Sequence, residues 1–264
     1  MVDCIQIDGI NCLSVFNNLS FNIEKNKITS FSGSNNSGKT LLLRILSKQI
    51  NFDGKINILN KDITDYKITD YYKIVKTIIP LEEIFYYETV EEELNYYINQ
   101  LFLSKEETNK RLKNIQKNLF LNKIKKKKIK ELNDNEIVIL QIALAIAAMP
   151  KIILIDDLTP YLTTDEIKKI ISYFRYLIKN YDITFLINST RLEDILEADN
   201  LYILSNSSII LKGKPLEVLQ KDNILNRAGI KVPFMIDLSV KLKDYNLIDD
   251  VELDMNRMIE RLWN

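Results

Sequence analysis

Eight consecutive residues carry the first chemical signal in this 264-residue chain: Gly33, Ser34, Asn35, Asn36, Ser37, Gly38, Lys39 and Thr40. They satisfy G-x-x-x-x-G-K-[ST] at every fixed position, the pattern of a phosphate-cradling loop. The glycines let backbone N–H groups converge on phosphate oxygens, and a helix starting near Ser37–Gly38 would add its positive dipole end. Lys39 would reach the outer phosphates, and the Thr40 hydroxyl would ligate Mg2+. A second signal lies downstream, where the apolar run Ile152–Ile155 ends in two carboxylates, Asp156 and Asp157. In a P-loop fold such a strand is expected to run beside the P-loop strand and to place Asp156 near the metal. Asp157 is then the candidate for orienting or deprotonating an attacking water. Alone, the second run reads as a buried strand with a polar exit. Paired with the loop, it reads as part of a nucleoside triphosphatase.

These groups need strands and helices to hold them. Short apolar runs at Cys4–Ile7, Ser20–Ile23 and Ile28–Phe31, punctuated by Asn and Asp, predict β-structure. The spacing predicts a helix over 38–48, a strand at Lys55–Leu59 and a turn at Asn60–Asp62. Residues 89–120 are helical in pattern, with a second helix starting near Ser104 and a capping box completed by Glu107. Helices are predicted at Asn133–Met149, Thr164–Lys179 and Leu192–Ala198, and strands at Ile152–Ile155, Ile183–Ile187, Leu201–Leu204 and Ile209–Leu211. Strands alternating with helices predict an α/β fold with a mainly parallel sheet. From about residue 222 the pattern becomes a small helical appendage.

Composition excludes much else. The chain has no histidine, so imidazole bases, Ser-His-Asp triads and His-ligated zinc are impossible within it. Thirty-six basic and 36 acidic residues cancel, which argues against a broad nucleic-acid footprint. Cys4 and Cys12 form no metal-binding spacing and no disulfide framework, as expected in a reducing cytosol. The start of the chain shows no secretory signal. The apolar run Ile137–Met149 falls short of the ~20 residues needed to span a bilayer and reads as a buried helix. The Lys123–Lys130 run and the acidic cluster Glu82, Glu83, Glu88, Glu91, Glu92 and Glu93 read as solvated surface. The aromatic-rich stretch from Tyr71 to Tyr97 reads as core packing or as a groove for helices of a membrane partner.

With these motifs in place, the chain resembles the ATP-binding subunits of ABC transporters, most closely the energy-coupling-factor (ECF) branch that powers vitamin and metal-ion uptake. Val15–Ile23 is similar to the family's strand before the P-loop, and Thr89–Leu94 to the segment that opens its helical subdomain. Ala198–Leu204, Ile209–Gly213 and Pro215–Val218 resemble its final sheet and helix, and Ala228–Pro233 the start of the ECF C-terminal extension. The resemblance implies a P-loop core with an antiparallel β subdomain. It implies a nucleotide-binding domain over 1–221, a helical subdomain at about 85–148, and an extension over 222–264 that contacts a second ATPase subunit.

Departures from the family pattern concentrate on hydrolysis and coupling. The family's signature loop, Leu-Ser-Gly-Gly-Gln-like, falls at Leu132, Asn133, Asp134, Asn135 and Glu136, without its glycines or serine. Asp134 would bring negative charge towards phosphate. The catalytic Glu is replaced by Asp157, about 1–1.5 Å shorter, against the ~2.6–3.2 Å reach a general base needs. The switch histidine falls at Thr190, the Gln expected near Ile78–Pro80 is missing, and the Gly-Leu-Asp loop reads Tyr161-Leu162-Thr163. No adenine-stacking aromatic is evident around Cys12–Ser14.

The resemblance therefore implies a subunit that binds ATP and Mg2+ and hydrolyses weakly or not at all. Its implied partners are a second ATPase subunit (a heterodimer, with a homodimer as the other option), a transmembrane coupling subunit and a substrate-binding membrane subunit. It would sit in the cytoplasm, on the inner face of the cell membrane. Two other readings are a non-hydrolytic ATP-binding scaffold or regulator, and a soluble ABC protein unconnected to membranes.

Overall fold

The structure, a computed structural model, describes residues 2–191 and 195–263. The chain opens with β1 (Asp3–Cys12) and β2 (Phe16–Glu24), an antiparallel pair in which apolar side chains alternate inward. β4 (Asp53–Ile58) pairs with the other edge of β1, and β5 (Lys61–Asp62) adds to β4, giving the order β2-β1-β4-β5. The turn read at Asn60–Asp62 is thus partly a two-residue strand.

The second sheet contains β3 (Ile28–Ser32), β6 (Val75–Ile78), β7 (Ile152–Ile155), β8 (Thr184–Asn188), β9 (Asn200–Ser205) and β10 (Ser208–Gly213). Their order is β10-β9-β3-β8-β7-β6, with every pair parallel except β9–β10. β3, β7 and β8 are buried at every position. This is what helices or a second sheet on both faces of a parallel sheet require, and it explains their unbroken apolar runs. Alternation divides the side chains between two cores. Ile153, Ile155, Phe185 and Ile187 face one apolar cluster, whereas Ile152, Leu154 and Leu186 face the cluster shared with β1 and β2.

The strand carrying Asp156 does not run beside the P-loop strand, contrary to expectation. β8 lies between them, paired with β3 on one side and β7 on the other. Buried on both faces, β8 satisfies its backbone donors and acceptors only inside the sheet. Asp156 is therefore about 10 Å, two strand spacings, from β3.

The helices cover this sheet. α1 (Lys39–Leu46) follows β3, and α2 (Ile68–Ile74) leads into β6, neither α2 nor β6 being evident from the sequence. α3 (Val90–Asn99), α4 (Lys105–Asn118) and α5 (Asp134–Ala147) form the helical region. α5 is buried from Val138 to Ala147, and among the described residues no helix is long and apolar enough to cross a membrane. At α4, Ser104 accepts the Glu107 backbone N–H, but the Glu107 carboxylate reaches forward to Arg111 at 2.6 Å, so the predicted box closes only halfway.

α6 (Thr164–Tyr181) presents an apolar stripe to the sheet and is capped by the reciprocal Thr163–Glu166 box. The helix read at Leu192–Ala198 falls in part on 192–194, outside the described residues. α7 (Pro215–Leu219), α8 (Asp222–Arg227), α9 (Phe234–Asp244) and α10 (Met255–Trp263) complete the chain. Leu225, Ile230 and Ile236 pack in one cluster with Leu201, Ile203, Val218 and Leu219, so apolar contact runs across residue 221.

Candidate functional site

The loop from Gly33 to Gly38 joins the C-terminal end of β3 to α1, and its two glycines answer different demands. A Cβ at Gly33 would lie 2.2 Å from the Leu204 carbonyl oxygen, so glycine lets the loop lie against β9. Gly38 has φ +97°, and a Cβ there would meet the Phe16 ring at 2.7 Å. Asn36 is also left-handed (φ 63°), which Asn tolerates better than most residues. The loop borders a cavity of about 900 Å³ lined by Val15, Asn35–Leu41, Ile79, Pro80, Asp156, Asp157, Pro160, Tyr161 and Thr190. Gly33 and Ser34 do not line it; their carbonyls hold Lys39.

The Lys39 Nζ folds back on its own loop, donating to the carbonyls of Gly33 and Ser34 at 2.9 Å each and to Ser37 Oγ at 3.2 Å. Burial lowers its pKa from the ordinary lysine value, and the carboxylates of Asp157 and Asp156 partly offset this. A half-buried cation held by neutral oxygens is suited to meet an anion.

Thr40, in the first turn of α1, donates to Asp156 Oδ2 at 2.8 Å across 116 residues of sequence. Asp156 Oδ1 accepts from Asn188 Nδ2 at 2.9 Å. Thr40 and Asp156 thus present adjacent oxygens, a donor set that suits a hard divalent cation such as Mg2+. Asp157 is held differently. Its Oδ1 accepts from the Thr159 backbone N–H (3.0 Å) and hydroxyl (2.6 Å), and its Oδ2 from the Thr190 hydroxyl (2.5 Å). Thr190, expected at the switch position, is thus a hydrogen-bond donor to the neighbouring carboxylate.

The segment Leu132–Glu136 lies outside the lining of this cavity. Leu132 is buried, and Asn133 caps α5 through a reciprocal box with Glu136. Asn135 Nδ2 donates to the Tyr161 carbonyl at 3.0 Å and approaches both Glu166 oxygens. Asp134 is exposed in the first helical turn, where its charge complements the helix dipole.

The sequence reading passed over four side chains. Asn188, the last residue of β8, and Thr159, in the turn after β7, are hydrogen-bonded to Asp156 and Asp157; a small polar residue at a strand exit is a weak signal. Gln141 clasps the loop after β6 by donating to the Ile79 carbonyl at 3.2 Å and accepting the Leu81 N–H at 3.1 Å. Arg44 holds the same loop through Nη2, which donates to both Glu82 carboxylate oxygens at 2.7 and 2.9 Å.

The acidic cluster also departs from a purely solvated surface. Glu93 is fully buried, accepting the backbone N–H groups of Tyr86 and Tyr87, and burial raises the Glu83 pKa. Of the lysine run, Lys127 pairs with Glu136 and Lys128 with Glu88, and both lysines are exposed.

Comparison with known proteins places this geometry. Residues 16–160, more than half the chain, match the ABC transporter family. The energy-coupling factor transporter ATP-binding protein EcfA of Pediococcus pentosaceus is 26% identical over 248 residues, covering 93% of this chain and 89% of that protein. EcfA2 of Clostridium perfringens is 28% identical, covering 89% and 86%. Among solved structures, cbiO1 from Clostridium perfringens, part of the ABC transporter complex cbiONQ, superposes with a TM-score of 0.73 at 20% identity, covering 90% of this chain and 99% of that one. A nucleotide-free ATP-binding cassette from an ABC transporter gives 0.70 at 23% identity, covering 87% and 100%. With a matching P-loop, a carboxylate strand bonded to it and this fold, the chain belongs to the ABC transporter family and carries its ATPase domain.

Proposed function

We propose that this chain is the ATP-binding subunit of an ECF-type importer, binding Mg-ATP at a dimer interface to energise uptake of a small nutrient such as a vitamin or metal ion. The observation that carries the reading is the Thr40–Asp156 hydrogen bond, which joins the P-loop to the carboxylate strand at one wall of a nucleotide-sized cavity. Gly33 and Gly38 shape the loop, the Ser34 carbonyl supports Lys39, and the backbone of Asn35–Gly38 with Lys39 receives the phosphates. Thr40 and Asp156 hold Mg2+, whose charge would offset that of the phosphates. Asp157 is the group nearest in type to a catalytic carboxylate, and hydrolysis is slow because it stands in for a longer Glu.

The domain division is a nucleotide-binding domain over 1–221, with a helical subdomain at about 85–148, and a dimer-contacting extension over 222–264. The second ATPase subunit is a different chain, and Leu132–Glu136 faces its nucleotide. Two further features support membrane partners. A groove of about 320 Å³ between the loop after β6 and the helical region is lined by Tyr72, Lys76, Glu82, Glu83, Tyr86 and Tyr97. At its rim, Ile84 and Tyr86 are 72% and 70% exposed. A transmembrane coupling subunit would dock there, with a substrate-binding membrane subunit beyond it, holding this chain at the cytoplasmic face of the membrane.

Affinity purification of the full chain from native membranes tests this reading. It should recover a second ATPase subunit and membrane proteins, in a complex whose ATPase rate falls when Asp157→Asn is introduced. Recovery of no membrane protein would sink the transporter reading. An undiminished rate in Asp157→Asn would show that this site contributes no turnover.

A further inference from the structure

Asp157 has about four acceptor positions on its two carboxylate oxygens. Oδ1 takes the Thr159 N–H at 3.0 Å and the Thr159 hydroxyl at 2.6 Å, which fills it. Oδ2 takes the Thr190 hydroxyl at 2.5 Å and retains one open position. The two hydroxyls are themselves 3.1 Å apart. Each has a single proton, so two protons serve three close oxygen contacts. With both directed at the carboxylate, Asp157 is what holds the two threonines together.

The elements make this arrangement rigid. Thr159 closes a two-residue turn on the exit of β7, followed at once by Pro160, whose ring fixes its own φ. Thr190 lies two residues beyond Asn188, the last residue of β8. Asn188 reaches Asp156 and Thr190 reaches Asp157, so two parallel cross-links tie the exits of adjacent strands. Asp157 and Thr190 line the same cavity as Lys39 and Thr40.

We propose that Thr159 and Thr190 are positioning residues for slow ATP hydrolysis, clamping Asp157 so that its one open acceptor position, on Oδ2, holds the attacking water. The inference rests on the ATP-binding reading above. Held this way, Asp157 orients the water and need not swing. The water oxygen bonds to the γ-phosphorus, and the bond from that phosphorus to the bridging oxygen breaks, its electron pair leaving with ADP. The water's proton passes to a γ-phosphate oxygen, giving ADP and dihydrogen phosphate, with Asp157 unchanged.

The test uses the purified full chain in excess over γ-labelled ATP and Mg2+, in single turnover, with two equilibrium measurements beside it: ATP affinity, and affinity for ADP with orthovanadate as a mimic of the transferring phosphate. Thr190→Val should slow phosphate release roughly 5–10-fold, the effect of one lost hydrogen bond. It should weaken ADP–vanadate binding by a similar factor and leave ATP affinity within about twofold. Thr190→Ser should restore both, because it keeps the hydroxyl, and Thr159→Val against Thr159→Ser should follow the same pattern. A wild-type rate in both valine variants would overturn the clamp, as would loss in the serine variants with retention in the valines, which would mark a packing role. ATP binding with no phosphate released by the unaltered chain would overturn it too, while leaving the ATP-binding reading standing. Failure to bind ATP at all would instead remove the reading on which the clamp rests.

Discussion

Lys39 concentrates the electrostatics of the site in one amine. Burial favours its neutral form, and the two carboxylates act against that without cancelling it. A bound phosphate would favour the charged form, so the amine takes up a proton on binding wherever the free site has lost it. Because the free-state value lies below that of ordinary lysine, Mg-ATP affinity should be flat near neutrality. It should then fall as pH rises through the alkaline range, earlier than for an exposed lysine. Titrations from pH 7 to pH 10 would show this, and an unchanged affinity across that range would contradict it.

Gly33 gives a stability prediction at the same scale. A methyl at 2.2 Å from the Leu204 carbonyl cannot be relieved by rotating a side chain. Gly33→Ala should cost about 2–3 kcal/mol, as overpacking does. Thermal unfolding would show it as a Tm lower by roughly 4–10 °C. The two glycines and Lys39 were legible in the sequence because a phosphate loop fixes residue type at fixed spacing. Thr190 stood out only through the family resemblance, and Thr159 not at all, because a hydroxyl two residues on, or just past the end of the next strand, leaves no periodic mark.

Element ends decide how the site is framed. α5 begins at a reciprocal box between Asn133 and Glu136, and α6 at one between Thr163 and Glu166. Asn135 bridges the two starts through the Tyr161 carbonyl. Asn133→Ala should therefore cost about 1 kcal/mol, a fall in Tm of roughly 2–4 °C, with P-loop ATP affinity unchanged. A larger loss of ATP affinity than of stability would contradict the reading of Asn133 as a cap.

Most strands were visible as short apolar runs, and Ile152–Ile155 was placed to the residue because it is buried on both faces. Sheet order was not visible. β7 and β8 have the same apolar character, and which of them lies beside β3 is settled by packing and pairing far apart in sequence. α2 and β6 were missed because tyrosines and lysines interrupt any clear period between residues 66 and 78.

Across the whole molecule, the proposed dimer-contacting segment carries an exposed apolar stripe on α10. Met255, Ile259 and Trp263, spaced four apart on α10, are 44%, 49% and 80% exposed, while Met258 is buried. A stripe at helical spacing with nothing over it suits the proposed subunit contact. Ile259→Glu should lower recovery of the second ATPase subunit in affinity purification while leaving thermal unfolding of the chain nearly unchanged. Undiminished recovery would remove α10 from that contact.

Beneath all of this lies the claim that the P-loop cavity binds Mg-ATP. Titration calorimetry of the full chain with ATP and Mg2+, beside the Lys39→Met variant, addresses it most directly. Saturable binding of one nucleotide per chain is expected, weakened roughly 30-fold by the substitution, the value of a charge-assisted contact of about 2 kcal/mol. No binding by the unaltered chain, or equal binding by the two proteins, would contradict it.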